Sequence, residues 1–69
     1  MAGDRYALPK TSAPAARALE AAGIRDLRDL AARRERDVAA LHGMGPKALR
    51  ILGEALAGSG LAFREDAAS

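Results

Sequence analysis

Glycine and proline punctuate this chain at intervals that only short elements can satisfy. Pro14 and Gly23 bracket one Ala-rich run, Pro46 and Gly58 bracket a second, and Gly43 and Gly45 stand just ahead of the latter. A proline in the first turn and a glycine just past the last are where these residues serve a helix instead of breaking it. β-Branched and aromatic residues are few, while Ala, Leu, Arg and Glu abound, so the intervening runs favour helix over strand. The pattern predicts an all-α fold. Helix one starts at Pro14, runs through 15–22 and ends at Gly23. Asp26 caps helix two, which sets Leu27, Leu30 and Ala31 on one face and ends near Ala32. The charged run 33–37 leads into helix three at 38–41, with Val38 and Leu41 inward. Helix four begins at Pro46 and turns Leu49, Leu52 and Leu56 inward beside Ala48 and Ala55, until Gly58 and Gly60 stop it.

Size limits what such helices can enclose. Of 34 hydrophobic residues, 18 are Ala, so 16 larger side chains must build the core of a 69-residue chain. A domain of this length buries only roughly 60% of the surface that its unfolded chain exposes, which leaves no room for a second lobe or a deep catalytic cleft. There is no Cys, which excludes disulfides, thiolate zinc sites and thiol catalysis. His42 is the only histidine and has no partner for a transition-metal site. The serines Ser12, Ser59 and Ser69 have no imidazole other than His42. The expectation is a monomeric binding module and not an enzyme, with no cofactor, no metal and no small-molecule substrate. No window approaches the roughly 18 apolar residues of a membrane span, and the first ten residues lack the apolar stretch of a secretory leader, so a cytoplasmic location without membrane contact is expected. Residues 1–6 and 64–69 show no apolar periodicity and read as a flexible N-terminus and a flexible acidic tail around one domain, 7–63.

Charge is distributed unevenly. Residues 5–50 hold ten of the eleven Lys and Arg against five acids, whereas beyond them Arg64 meets Glu54, Glu65 and Asp66. A basic middle suits a polyanionic partner, and a solvated surface explains it equally well. The densest cluster, Arg33, Arg34 and Arg36, alternates with Glu35 and Asp37 and reads as solvated. Gly53, inside helix four, is expected to mark a close helix crossing, and Leu61 and Phe63 to fold back over the core.

An internal repeat emerges when 8–19 is laid over 41–52. Leu8 matches Leu41, Ala15 matches Ala48, Arg17 matches Arg50 and Leu19 matches Leu52, with Ala22 on Ala55 at the same offset. The shared order of loop, proline, helix and arginine implies two related hairpin units.

The second unit carries the chemistry. In 38–52, VAALHGMGPKALRIL, a short helix closes on Gly-Met-Gly and another begins at once with Pro-Lys. Glycines let backbone come close to a ligand, and amides entering a helix N-terminus offer unpaired donors at the positive end of the dipole. A phosphate oxygen suits that cradle. Met44, between two glycines, should turn inward and plug the hairpin. Lys47 and Arg50 lie three apart on the exposed face, with Glu54 a turn further on.

This segment resembles the helix-hairpin-helix motif of nucleic-acid-binding proteins. The stretch from about residue 8 to 63 is similar to the C-terminal domain of the bacterial RNA polymerase alpha subunit. The likeness rests on 16–19 followed by Gly23-Ile24, on 41–49 in the hairpin, and on the closing Gly60-Leu61-Ala62-Phe63. It implies a compact SAM-like bundle of four to five helices, built from two helix-hairpin-helix units. The first is degenerate, because Lys10-Thr11-Ser12 stands where the second has Gly43-Met44-Gly45, and is expected to be scaffold only. The resemblance also implies DNA-backbone contacts by Gly45, Lys47 and the Ala48 amide, to which the anion cradle adds Gly43 and Arg50 as candidates. Arg17 falls where the family has a polar contact residue. Pro14 occupies the position of the family's principal DNA-contacting arginine and cannot replace it, which leaves Lys10 or Arg17 to compensate and promoter-element recognition unsupported.

The functional expectation is therefore weak, salt-sensitive binding to double-stranded DNA with little sequence preference. Tyr6 and Phe63 are the only aromatic residues, which disfavours single strands and RNA. The alternative is a protein-interaction domain on the same scaffold, tied to transcription, that has lost nucleic-acid binding.

Overall fold

The computed structural model describes residues 6–65. Within them Ser12 opens α1 (Ala13–Ala21): its backbone is extended and its hydroxyl oxygen accepts the Ala15 N–H at 3.3 Å. The helix closes as a Schellman motif. Gly23, at φ +80°, donates to Glu20 O, and Ile24 donates to Leu19 O at 2.9 Å, which satisfies carbonyls that the helix leaves open. Arg33 adds another acceptor contact at this end, its Nη2 donating to Ala22 O at 2.7 Å. The expectation that Arg33 is merely solvated is thus corrected: a cation sits at the negative end of α1, where the dipole favours it.

Asp26 caps α2 (Leu27–Ala31) by accepting the Asp29 N–H at 2.9 Å, while Asp29 accepts the Arg25 N–H. That backbone hydrogen bond, aided by the Arg28 guanidinium 3.2 Å away, holds the Asp26 carboxyl below the ordinary carboxylate range against a smaller opposing effect of desolvation. The next helix, α3 (Glu35–Ala39), starts inside the charged run and not after it. Glu35 and Asp37 occupy its first turn, where acids complement the dipole, and Leu41 falls beyond its end, half-buried in the following turn. The longest element, α4 (Pro46–Gly58), ends in a second Schellman motif: Gly60, at φ +76°, donates to Ala57 O and Leu61 to Leu56 O. The N-caps Ser12 and Gly45 keep the offset of 33, but α4 has thirteen residues against nine in α1, about one further turn.

Four helices thus enclose one core, and α4 packs on α2 and α3. Leu19, Ile24, Leu27, Leu30, Val38, Leu52 and Leu56 are its buried residues, with Met44, Leu49, Leu61 and Phe63 packed against it from the half-buried shell. Each of the larger side chains contributes about 1.5–3 kcal/mol on burial. Among the described residues there is no strand. Two isolated bridges instead tie the ends down, Ala7 to Asp26 and Arg64 to Arg34, the latter with Arg64 N–H donating to Arg33 O at 2.9 Å. Tyr6 packs on the core with the Arg28 guanidinium 5.1 Å above its ring. The packed body therefore takes in Tyr6 and Arg64, one residue more at each end than expected; Glu65 is exposed, and the rest of the expected flexible ends, 1–5 and 66–69, lies outside the described residues. The expected helix crossing at Gly53 is not seen: a Cβ added there would meet only Cε2 of Phe63, at an ordinary contact distance of 3.7 Å, and nothing in the surroundings requires the glycine. No helix among the described residues is long and apolar enough to cross a membrane.

Candidate nucleic-acid interface

The hairpin between α3 and α4 is built by local hydrogen bonds and one obligatory glycine. Met44 N–H donates to Leu41 O at 3.0 Å, closing the turn, and the Met44 side chain is half-buried on the core. Gly43 has φ +95°, a region that only glycine enters without strain. Gly45 differs from the expectation for a hairpin glycine: at φ −102° and ψ 169° it is an ordinary N-cap, and a Cβ added there meets nothing within 4 Å.

Because Gly45 has no side chain and Pro46 has no N–H, the start of α4 lacks any capping group. Among the described residues the amides of Gly45, Lys47 and Ala48 find no protein acceptor. The corresponding site in α1 is closed by the Ser12 hydroxyl. Two helix starts at matching positions thus differ in one respect that matters chemically: one accepts its own donor, and the other leaves its donors without a protein acceptor.

These donors border a groove of about 520 Å³ whose two walls come from distant parts of the chain. One wall is Lys10, Thr11 and Ser12; the other is Gly43, Gly45, Pro46, Lys47 and Ala48, with Ile51 further along α4. Lys10 and Lys47 are its only charged residues, and both are exposed. Charge is balanced or mixed in the two other charged grooves. A depression of about 490 Å³ beside Phe63 pairs Arg36 and Arg64 with Glu35 and Glu65, and a larger one of about 840 Å³ along α1 carries Lys10, Arg25 and Glu20 around Leu8, Pro9, Leu19 and Ile24. Of these three, the groove at the start of α4 is the one that sets cations without acids next to amides lacking a protein acceptor, an arrangement complementary to an anion.

Of the seven candidate residues, Lys10, Gly43, Gly45, Lys47 and Ala48 converge on this groove. Arg50 is exposed on α4 and Arg17 is exposed on α1, and neither lines it. Among the described residues neither arginine has a carboxylate within salt-bridge distance. Sequence reasoning passed over Thr11, Ser12 and Ile51. Ser12 was recoverable, since Ser is a favoured N-cap immediately before a helical run with Pro in its first turn. His42 is exposed beside the turn, as expected for a loop residue.

Comparison with protein-family models, with curated proteins and with solved structures returns no match.

Proposed function

We propose that this chain is a helix-hairpin-helix module that binds the phosphate backbone of double-stranded DNA with little sequence preference. The two units would be α1–α2 and α3–α4, with the α3–α4 hairpin making the contacts. The observation that supports this reading best is the groove at the start of α4, in which Lys10 and Lys47 are the only charged residues and the Gly45, Lys47 and Ala48 amides lack protein acceptors. Such groups hold phosphate oxygens and position a protein without reading bases. Among the described residues the exposed face of α4 carries Lys47, Arg50 and Glu54 but no Asn or Gln, the side chains that pair with adenine in the major groove.

Affinity of a lone module should lie near the ~10⁻⁴ to 10⁻⁶ M of non-specific binding, with log affinity falling about 0.9 per neutralised phosphate for each log unit of salt. Titration of a labelled duplex at several salt concentrations measures that slope. A salt-independent or absent interaction overturns the reading.

The second reading is a protein-interaction domain on the same scaffold that does not bind DNA. It is favoured by the apolar depression along α1, lined by Leu8, Pro9, Leu19 and Ile24, and by Pro14 at the head of that helix. Nuclear magnetic resonance separates the two: duplex DNA should shift amides at Gly45 and Ala48 under the first reading and none under the second.

A further inference from the structure

The first loop does not repeat the glycines of the second, and from sequence it reads as scaffold. Its position gives it access to the candidate interface. Lys10 and Thr11 line the same groove as Lys47 and Ala48, although 37 positions separate the two lysines in the chain. Lys10 is exposed, has no carboxylate within salt-bridge distance among the described residues, and carries the only charge on its wall. Thr11 is half-buried, and among the described residues its hydroxyl has no protein partner. Ser12 differs, because its oxygen already accepts the Ala15 N–H. A cation and a free hydroxyl are thus presented opposite the Lys47 side chain and the open amides, with no acid on either wall to repel an anion.

We propose that Lys10 and Thr11 form a second phosphate contact, so that the groove clamps two phosphates of one DNA strand between the two loops. This rests on the DNA-binding reading above and adds to it a residue pair outside the hairpin. Lys10 neutralises one phosphate, and the Thr11 hydroxyl donates to an oxygen of that same phosphate. The α4 end, through Lys47 and its neighbouring amides, holds the other. A ligand with a single phosphate engages one wall and gains only part of the affinity.

The test is fluorescence anisotropy of a labelled duplex against the wild-type chain and the variants Lys10→Ala, Thr11→Val and Lys47→Ala, with circular dichroism confirming the fold of each. Lys10→Ala should lower the salt slope by about 0.9, as Lys47→Ala should. Thr11→Val should weaken binding about three- to tenfold at unchanged slope, the effect of one lost hydrogen bond, which a long-range effect of charge does not produce. If Lys47→Ala lowers the slope while Lys10→Ala and Thr11→Val match wild type, the two-walled clamp is wrong and the hairpin alone binds DNA. A wild-type chain with no salt slope removes the DNA-binding reading and the clamp with it.

Discussion

Gly43 rests against the backbone of Pro14: a Cβ built on this glycine would lie 2.8 Å from the Pro14 carbonyl oxygen and 3.2 Å from its carbonyl carbon. The hairpin that opens α4 is therefore seated on the first turn of α1, and this seat holds the two loops on either side of the charged groove. The Pro14 carbonyl is thus the surface on which the hairpin turn rests.

Replacing Gly43 by Ala should destabilise the domain by about 1–3 kcal/mol, since the residue would carry both a positive φ and a backbone clash that no side-chain rotation relieves. Gly45→Ala provides the contrast: with φ −102° and open space around the new methyl, it should cost well under 1 kcal/mol as a poorer N-cap than glycine. Urea unfolding of the two variants side by side measures the difference, and equal losses would contradict the seating of Gly43 on Pro14.

Gly53→Ala should raise stability by about 1 kcal/mol. Glycine inside a helix is disfavoured by roughly that amount relative to alanine, and the added methyl meets only the Phe63 ring at ordinary contact distance, 3.7 Å. For a chain of this size the gain corresponds to a rise of about 4–8 °C in Tm. A fall in Tm would mean that Phe63 packs closer to α4 than described.

Acid should weaken the fold through Asp26. Its carboxyl is held below the usual range mainly by the Asp29 N–H, so the folded state favours the charged form. That contribution is complete above the unfolded value, about 3.9, and is lost as pH falls through the lower folded value. Asp26→Asn keeps a capable N-cap but cannot titrate, and its unfolding free energy should vary less between pH 5 and pH 2 than that of wild type. Identical acid dependence in both would dismiss the cap as its source.

Lys47→Glu should weaken duplex binding by more than tenfold at low salt, since a charge is reversed in the groove, and should leave Tm nearly unchanged because the side chain is exposed. Unchanged affinity would take the start of α4 out of the interface. Arg17→Ala, remote from the groove lining, should have a smaller effect, and a larger one would move the interface onto α1.

Much of the local architecture was legible before any coordinates, because its causes are short-range. Asp26 as a cap, Gly23 and Gly60 as helix ends, and Leu30, Leu52 and Leu56 as core follow from hydrogen bonds and periodicity within a few residues. The start of α3 was missed for a reason of the same kind: charged residues at 35–37 were read as a lead-in, although acids belong in a first helical turn. The role of Arg33 is illegible in the sequence. It depends on a group brought in from elsewhere in the chain, the Ala22 carbonyl eleven residues away.

The candidate site divides along the same line. That the segment 43–48 would present open amides and a lysine was readable in Gly-Met-Gly-Pro-Lys, since glycine and proline deprive a helix start of its capping groups wherever that helix is placed. That Lys10 and Thr11 would face this segment was not, for no local pattern brings residue 10 to residue 47. Tertiary packing decided it by seating Gly43 on Pro14, a contact that only a residue without a Cβ permits, and by setting two loops of like charge on the walls of one groove.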